Sequence, residues 1–253
     1  MNMNQSFEHY LKESEKAFEG WDFSYITSNG RMQDSPISWD YTDLIQKAIK
    51  NSTSLLDMGT GGGEYLSSLS DLPSFTCATE GYEPNVQIAK NRLEPLGIKV
   101  FQVIDDNSLP FENDTFDLII NRHEAYSPKE IMRILKPGGV FITQQVGGEN
   151  DKEFNEWFNV PESEYRYWNL EYALKECDEV GLSIQMAHED KVYTSFQDVG
   201  AIIYYLKAIP WQIPDFSVEN YKDQLHKVHQ LITENGPFKS TCHRFIITAI
   251  KNK

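Results

Sequence analysis

Short runs of apolar, β-favouring residues alternate along the middle of the chain with segments in which apolar residues recur at helical spacing. The apolar runs predict strands at residues 52–57, 75–80, 99–104, 116–121 and 140–145. The segments between them predict helices at residues 62–72, 84–96 and 128–135. Strands that alternate with helices are typical of βαβ units, whose strands lie parallel with helices on both faces. The pattern therefore predicts an α/β fold with a doubly wound, mainly parallel sheet.

The regions that flank this alternation differ from it in pattern. Before it, helices are predicted at residues 5–19 and 40–50, with a Gly-, Ser- and Pro-rich loop at 21–38. After it come predicted helices at residues 151–158 and 170–180, strands at 182–187 and 244–251, and an insertion with helices near 196–208 and 218–234. The chain is thus predicted to have an N-terminal helical and aromatic cover at 1–50, a central domain at 51–193 and 241–253, and a helical insertion at 194–240.

Aromatic residues are dense in the cover and in the insertion. They are Trp21, Phe23, Tyr25, Trp39, Tyr41, Tyr204, Tyr205, Trp211 and Phe216. Aromatic side chains in loops favour a wall around an apolar or planar ligand, and the insertion is therefore predicted to form part of a substrate cap. The alternative is that these residues only pack the cover onto the sheet.

The charge balance lowers the odds of several kinds of partner. The chain has 253 residues, with 23 Lys and Arg against 38 Asp and Glu, and its formal net charge is −15. Such a surface repels phosphate backbones and anionic lipid, so nucleic acid is an improbable partner and no membrane association is expected. No apolar run approaches the roughly 20 residues of a membrane span, and the polar N-terminus is unlike a signal peptide. The sequence predicts a cytoplasmic protein whose oligomeric state is open.

The cysteines and histidines of the chain are not spaced along the sequence as the ligands of a metal site are. The cysteines, Cys77, Cys177 and Cys242, are scattered and form no CxxC pair, so they are interpreted as buried apolar residues. His226 and His229 lie three residues apart on a predicted helix, but the sequence offers no third ligand. No metal is therefore expected.

A glycine-rich turn follows the first central strand, in the run Asp57-Met58-Gly59-Thr60-Gly61-Gly62-Gly63-Glu64. Glycines there allow backbone angles closed to other residues and let a ligand approach the main chain. A GxGxxG dinucleotide fingerprint would need glycine at position 64, and a P-loop would need Lys followed by Ser or Thr. Asp57 at the strand end suits a cationic group, such as an α-ammonium group.

Acidic residues also end the next two strands. Glu80 ends the second one, where a carboxylate can accept hydrogen bonds from both hydroxyls of a ribose. Asp105 and Asp106 follow the third strand, where one carboxylate can accept from an adenine amino group. Because the carboxyl ends of parallel strands meet at one edge of a sheet, these acids are expected near the glycine turn.

The segments DMGTGGGE, DDNSLPF, FDLIINRHE and RILKPGGVF, together with Glu80, occur in the order and spacing of a known family. Over residues 50–146 the chain resembles the class I S-adenosylmethionine (SAM)-dependent methyltransferases, and especially the branch with the ubiquinone and menaquinone C-methyltransferases. The resemblance implies a Rossmann-like sheet of seven strands with the last antiparallel, residues 244–251 being inserted beside 182–187. It also implies SAM as the cofactor and S-adenosylhomocysteine (SAH) as the product.

The resemblance further implies a cofactor-binding role for particular residues. Asp57, Gly59, Thr60, Gly61 and Gly63 match the site for the methionine end of the cofactor. Glu80 matches the ribose-binding acid, Gly81 and Tyr82 flank the adenine, Asp105 matches the acid on the adenine amine, and Asp106 supplies a backbone N–H. The backbone of Asn121 and Arg122 matches the part that faces the methionine group. Glu80-Gly81-Tyr82 stands where the branch more often has Asp-aliphatic-Ser, which leaves the geometry of ribose binding open.

The sequence gives little information on the molecule that accepts the methyl group. His123 follows the fourth central strand and is the candidate general base, because a histidine can be neutral at pH 7; a purely structural role for it is the alternative. The preferred function is methyl transfer to a small-molecule acceptor. The alternatives are an rRNA base methyltransferase and a catalytically silent, SAM-binding regulatory protein, while the spacing disfavours an NAD-dependent oxidoreductase.

Overall fold

The computed structural model describes residues 3–18 and 22–252, which fold into two compact units. Unit 1 comprises the described residues of Met1–Ile37, Gly148–Tyr167 and Asp190–His243, and unit 2 those of Ser38–Gly147, Trp168–Glu189 and Arg244–Lys253. Trp21, one of the aromatic residues of the predicted cover, lies outside the described residues. Residues 41–49, placed in the cover by the sequence pattern, belong to unit 2.

The helices and strands follow the predicted order closely. The α-helices are α1 (Met3–Leu11), α2 (Ser24–Thr27), α3 (Tyr41–Ile49), α4 (Glu64–Ser68), α5 (Glu83–Leu93), α6 (Pro128–Ile134), α7 (Lys152–Phe158), α8 (Leu170–Glu179), α9 (Val199–Ala208) and α10 (Lys222–Asn235). The strands are β1 (Met32–Asp34), β2 (Ser54–Met58), β3 (Phe75–Glu80), β4 (Lys99–Gln102), β5 (Phe116–Arg122), β6 (Leu135–Val146), β7 (Leu182–Phe196) and β8 (Phe238–Lys251).

The strand pairing confirms the predicted fold class. In the described residues the sheet has the order β1-β7-β8-β6-β5-β2-β3-β4. Strands β2 to β6 run parallel, and β8 pairs antiparallel with β6, with Val140 opposite Ile250. The last strand therefore lies between β6 and β7, as the family resemblance implies. β2 is buried along its whole length, which explains why the apolar residues Leu55 and Leu56 are consecutive in it rather than alternating with polar ones.

The predicted number of seven strands is wrong, because the sheet has eight within residues 3–18 and 22–252. The additional strand is β1, which forms within the segment predicted as a loop. It pairs antiparallel with the last residues of β7, with Met32 opposite Phe196. β7 continues to Phe196 instead of ending near residue 187, and this extension supplies the edge on which β1 forms. The side chain of Met32 is buried there, which stabilises the short strand.

A carboxylate joins the starts of β2 and β5 in unit 2. Asp117 Oδ2 accepts hydrogen bonds from the backbone N–H groups of Thr53 (2.9 Å) and Ser54 (3.0 Å), and its Oδ1 lies 3.2 Å from Lys136 Nζ. Partial burial alone would raise the pKa of Asp117, but the hydrogen bonds from Thr53, Lys136 and Ser54 outweigh it. They hold the pKa well below its usual range.

We expect Asp117→Asn to lower the free energy of unfolding at pH 7, because the charge that these hydrogen bonds stabilise is lost. The loss should be only about 1 kcal/mol, since solvent reaches the group and weakens its interactions. A lowered pKa stabilises the fold above the unfolded-state value of about 3.9, and this contribution disappears as the pH falls through the folded-state pKa. Urea unfolding of both proteins at several pH values checks this. The difference should shrink toward acid pH, whereas a difference that grows there would contradict it; Asp71→Asn, at an exposed position, is the control.

Unit 1 is built around a cluster of aromatic side chains. Phe154 is fully buried, with its ring centroid 5.1 Å from that of Phe238, 5.5 Å from Phe196 and 6.1 Å from Tyr205. Helix α9 is buried on nearly all sides in this core, which explains its continuous apolar sequence. No helix within residues 3–18 and 22–252 has the length and apolar character needed to cross a bilayer.

The aromatic residues of the predicted cap lie largely within this core. Rings of Phe23 and Tyr205 are 5.5 Å apart, and those of Tyr25 and Tyr204 are 5.0 Å apart. Trp211, in contrast, is 67% exposed. Phe23, Tyr204, Tyr205 and Phe216 therefore pack in the core of unit 1, whereas Trp39 and Tyr41 belong to unit 2. The predicted role of these aromatic residues around an acceptor stays a prediction.

An ion-pair cluster holds the N-terminal segment of unit 1. The guanidinium of Arg31 donates to both oxygens of Asp198 (2.7 and 2.8 Å) and to Glu13 (3.0 Å). Asp198 is also the N-cap of α9, since its side chain accepts from Ala201 N–H. One carboxylate thus fixes both a helix start and a distant arginine.

Candidate functional site

The glycine turn after β2 adopts a conformation that requires glycine. Gly59, Gly61 and Gly63 have φ angles of 66°, 61° and 81°, in the left-handed region where side chains are strained. The turn is tied to the neighbouring strand by a 2.9 Å hydrogen bond from Thr60 N–H to the Thr79 carbonyl. It is also crowded, because a Cβ built on Gly59 would lie 2.5 Å from Glu124 Cβ and Cγ. The turn therefore presents bare backbone to any ligand beside it.

Two buried carboxylates end the adjacent strands β2 and β3. Asp57 is 4% exposed and Glu80 is 5% exposed, and Asp57 pairs with Ala78 in the parallel register. Burial, together with the charge of Glu80, raises the pKa of Asp57 to about 7. The Thr60 hydroxyl and the charge of Arg122 oppose this rise. Glu80 Oε1 accepts from Tyr82 N–H at 2.8 Å. In the described part of the chain neither carboxylate forms an ion pair, so this edge of the sheet is suited to hydrogen-bond donors or a cation.

A pocket of about 160 Å³ opens beside the turn in unit 2. It is lined by Gly59, Thr79, Gly81, Val103, Ile104, Asp106 and Glu124. Ile104 is 89% exposed and Tyr82 is 65% exposed, so large apolar side chains stand free at the ends of β3 and β4. Exposed apolar surface of this kind favours contact with a planar ligand.

The two acids after β4 have different positions. Asp106 lines the pocket, and both burial and the charge of Asp105 raise its pKa. Asp105 Oδ1 accepts from both the backbone N–H (2.9 Å) and the side-chain amide (3.0 Å) of Asn107. The structure thus brings Asp106 to the pocket wall, while Asp105 shapes the loop; the role of Asp105 toward adenine stays a prediction.

Asn121, near the end of β5, is fully buried in a polar network. Its Oδ1 accepts from Gln145 Nε2 (2.7 Å) and Thr143 Oγ1 (3.2 Å), and its carbonyl accepts from the Tyr41 hydroxyl (3.0 Å). Its Nδ2 has no hydrogen-bond partner among the described residues. A buried amide group without a partner is costly, which indicates that a ligand or water completes the site.

Arg122 ends β5 with an exposed guanidinium. This group lies over the rings of Tyr65 (5.2 Å to the centroid) and Tyr41 (5.9 Å). The rings of these two tyrosines are 5.6 Å apart. The side chain of Arg122 is therefore held on an aromatic platform, where cation–π attraction favours its position.

His123 is held in its neutral form by a chain of donors. The Trp39 indole N–H, which can only donate, bonds Gln144 Oε1 at 2.8 Å, so the Gln144 amide nitrogen faces His123 Nε2 at 3.1 Å. His123 Nε2 must then accept, which places the proton on Nδ1. The residue keeps an exposed edge, but the protein around its ring disfavours the charged form and lowers the pKa of His123. The positive charges of Arg244 and Arg122 lower this pKa further.

Two solved structures show the same fold at low sequence identity. One is a candidate methyltransferase of Bacillus halodurans, with a TM-score of 0.59, 21% identity, and coverage of 85% of this chain and 99% of that one. The other is the YcgJ protein of Bacillus subtilis, with a TM-score of 0.59, 19% identity, and coverage of 84% and 98%. Residues 56–143 match the family model described as a methyltransferase domain. These residues form a methyltransferase domain.

A further relative matches part of the chain in sequence. It is an uncharacterized protein of Methanocaldococcus jannaschii, 33% identical over 107 residues, which are 40% of this chain. The match spans only 39% of that relative's length. The predicted branch with the ubiquinone and menaquinone C-methyltransferases stays a prediction.

All the predicted site residues lie within the methyltransferase domain, but four residues that line its pocket, Thr79, Val103, Ile104 and Glu124, were not among them. Glu124 directly follows His123, and Ile104 directly precedes Asp105. Ile104 and Glu124 have no other signal in the sequence than these neighbours, although Glu124 ends the segment FDLIINRHE. The predicted cofactor residues Gly59, Gly81 and Asp106 line the same pocket.

Proposed function

We propose that the whole protein is a SAM-dependent methyltransferase and that it transfers the methyl group to a small-molecule acceptor. The observation that carries this proposal is the pair of buried carboxylates, Asp57 and Glu80, beside the glycine turn and without an ion-pair partner in the described residues. SAM offers the complementary groups, which are an ammonium cation and the two hydroxyls of a ribose. The pocket and the unpartnered amide of Asn121 also fit a ligand of this kind.

The proposed contacts follow the strand ends. Asp57, with the turn of Gly59, Thr60, Gly61 and Gly63, would hold the methionine end, and Glu80 would accept from the ribose hydroxyls. Gly81, Tyr82 and Ile104 would contact the adenine, with Asp105 or Asp106 near its amino group. The backbone of Asn121 and Arg122 would face the methionine group. When bound, SAM supplies a methyl group that its sulfonium charge activates for displacement.

The protein's own contribution would be positioning and exclusion of water, which supply most of the catalysis in such a displacement. Binding of a cation would also compensate the buried charge of Asp57. The role of His123 as a general base remains a proposal. Its Nε2 accepts from Gln144, so it could take a proton only after this hydrogen bond is released.

A small acceptor is favoured over RNA by charge. With a net charge of −15 the chain offers little attraction for a phosphate backbone, whose affinity depends on Lys and Arg. In the methyltransferase domain, carboxylates rather than basic residues surround the pocket. In the described residues no Lys or Arg lines this pocket, and the guanidinium of Arg122 lies over two tyrosine rings.

Isothermal titration calorimetry with SAH tests the cofactor site. The wild-type protein is expected to bind SAH, and Asp57→Asn is expected to weaken binding by about 10-fold or more, because the buried carboxylate loses its charge. The matched control is Asp71→Asn, at an exposed position of the same unit, which should bind as the wild type does. Absence of SAH binding by the wild type would reject the proposed function.

A further inference from the structure

The side chain of Glu124 lies directly on the glycine turn. A Cβ built on Gly59 would meet not only its Cβ and Cγ at 2.5 Å but also its carboxylate Oε2 at 2.7 Å. The same side chain lines the pocket together with Gly81 and Asp106. A further carboxylate thus stands at the part of the site that matches the methionine end of the cofactor, and no cofactor role follows for it from the family motifs.

The position of Glu124 is set by its backbone. The preceding residue, His123, has a φ of 66°, which turns the chain as it leaves β5. The Glu124 carbonyl then accepts from Gln145 Nε2 at 3.0 Å, and this amide also donates to Asn121 Oδ1 at 2.7 Å. Glu124 is therefore anchored to the same buried network that contains the unpartnered Asn121 Nδ2.

The charges around Glu124 are mainly negative. Burial, together with the charges of Asp106 and Glu80, raises its pKa to about 7, although the Ala125 backbone N–H opposes the rise. Asp57 lies at the end of β2, and Arg122 and His123 precede Glu124 on its own segment. Arg122 lies over two tyrosine rings instead of pairing with this carboxylate. In the described residues, Glu124 has no salt bridge, so its ionised form lacks a cation.

We propose that Glu124 is a cofactor-binding residue whose carboxylate, together with Asp57, pairs with the α-ammonium group of the bound methyl donor. This inference rests on the proposed function, since it assigns one group of that cofactor to one side chain. The pairing would explain why an acid is packed against a backbone position that tolerates no side chain. It would also give the pocket a preference for ligands that carry an amino-acid end.

The pairing has a proton balance that can be measured. Where Glu124 is protonated in the free protein, pairing with the ammonium group favours its carboxylate form, and the proton passes to the buffer. Affinity for an amino-acid-bearing ligand should then rise with pH up to about 7 and level off above it. A ligand without the ammonium group should release no proton.

The test compares SAH with 5′-methylthioadenosine, which has the adenosine and the sulfur but no amino-acid end. Calorimetry is carried out in buffers of different ionisation enthalpy, which reports the protons released. Glu124→Gln is expected to weaken SAH binding by about 10- to 100-fold, as for loss of a hydrogen bond to a charged group, and to leave 5′-methylthioadenosine binding unchanged. Glu94→Gln, at an exposed position, should match the wild type, and Glu124→Asp should retain part of the affinity.

The outcomes separate this inference from the proposed function. If the wild type binds neither ligand, the proposed function fails. If the wild type binds SAH and Glu124→Gln binds it equally well, or loses both ligands to the same extent, the assignment of Glu124 is wrong while the cofactor site stands. Should Glu124→Gln fail to fold, Asp57→Asn provides the second measurement: continued proton release on SAH binding supports Glu124, and its absence contradicts the assignment.

Discussion

Glu80→Ala is expected to lower the affinity for SAH by about 100-fold or more, while the protein stays folded. A carboxylate that accepts from two ribose hydroxyls makes two charge-assisted hydrogen bonds, and each is worth about 1.5–3 kcal/mol in a buried site. Glu80 is 5% exposed and one oxygen already accepts from Tyr82 N–H, which holds the side chain in place before any ligand binds. Loss of such a preorganised group removes affinity without a compensating gain.

Calorimetry with SAH, together with a thermal unfolding scan, measures this effect. Glu83→Ala is the matched control, since Glu83 is an exposed acid three residues further along the chain. Glu80→Gln should give an intermediate loss, because its amide oxygen still accepts but carries no charge. An SAH affinity unchanged by Glu80→Ala would show that the acid at the end of β3 does not bind the cofactor.

The second large effect is expected in unit 1, where Phe154→Ala should cost about 3–5 kcal/mol of unfolding free energy. Phe154 is fully buried and is in ring contact with Phe158, Phe196, Tyr205 and Phe238. Its removal leaves a cavity that several stiff aromatic rings surround, and such rings fill space poorly when a neighbour is lost. A loss near the upper end of the range is therefore expected.

Urea unfolding followed by tryptophan fluorescence measures this loss, because Trp157 lies next to this core, with its ring 6.3 Å from Phe238. Phe154→Leu keeps most of the volume and should cost much less. If both variants unfold at the wild-type urea concentration, the aromatic cluster does not stabilise unit 1.

The central strands could be predicted from sequence because their physical signal is local. β3 has the predicted limits, and β2 and β5 differ from prediction by two residues or fewer, since short β-favouring runs between turns leave few alternatives. Helix α4 is shorter than predicted: Gly63 takes a φ of 81°, so the helix starts only at Glu64, and it ends where Leu69 becomes extended. β1 could not be predicted, because a three-residue edge strand depends on the length of a partner far along the chain.

In the candidate site, too, residues with a local sequence signal could be predicted, and residues placed by distant contacts could not. Asp57, Gly59, Gly63 and Glu80 stand in spaced motifs, so chemistry and order were enough to select them. Glu124 ends the segment FDLIINRHE, but the resemblance gives it no role, and its position depends on the turn at His123 and on the amide of Gln145, which is 21 residues distant. The neutral form of His123 likewise depends on a relay from Trp39 through Gln144, and such side-chain contacts cannot be read from spacing.

The most direct test of the proposed function follows the methyl group itself. The purified protein is incubated with SAM that carries a deuterated methyl group and with a cell extract separated into small-molecule, RNA and protein fractions. Mass spectrometry then locates the label. The proposed function predicts labelled product in the small-molecule fraction, together with formation of SAH, and loss of both with Glu80→Ala. Label in RNA alone, or SAH binding without any labelled product, would contradict it in favour of an RNA methyltransferase or a silent SAM-binding protein.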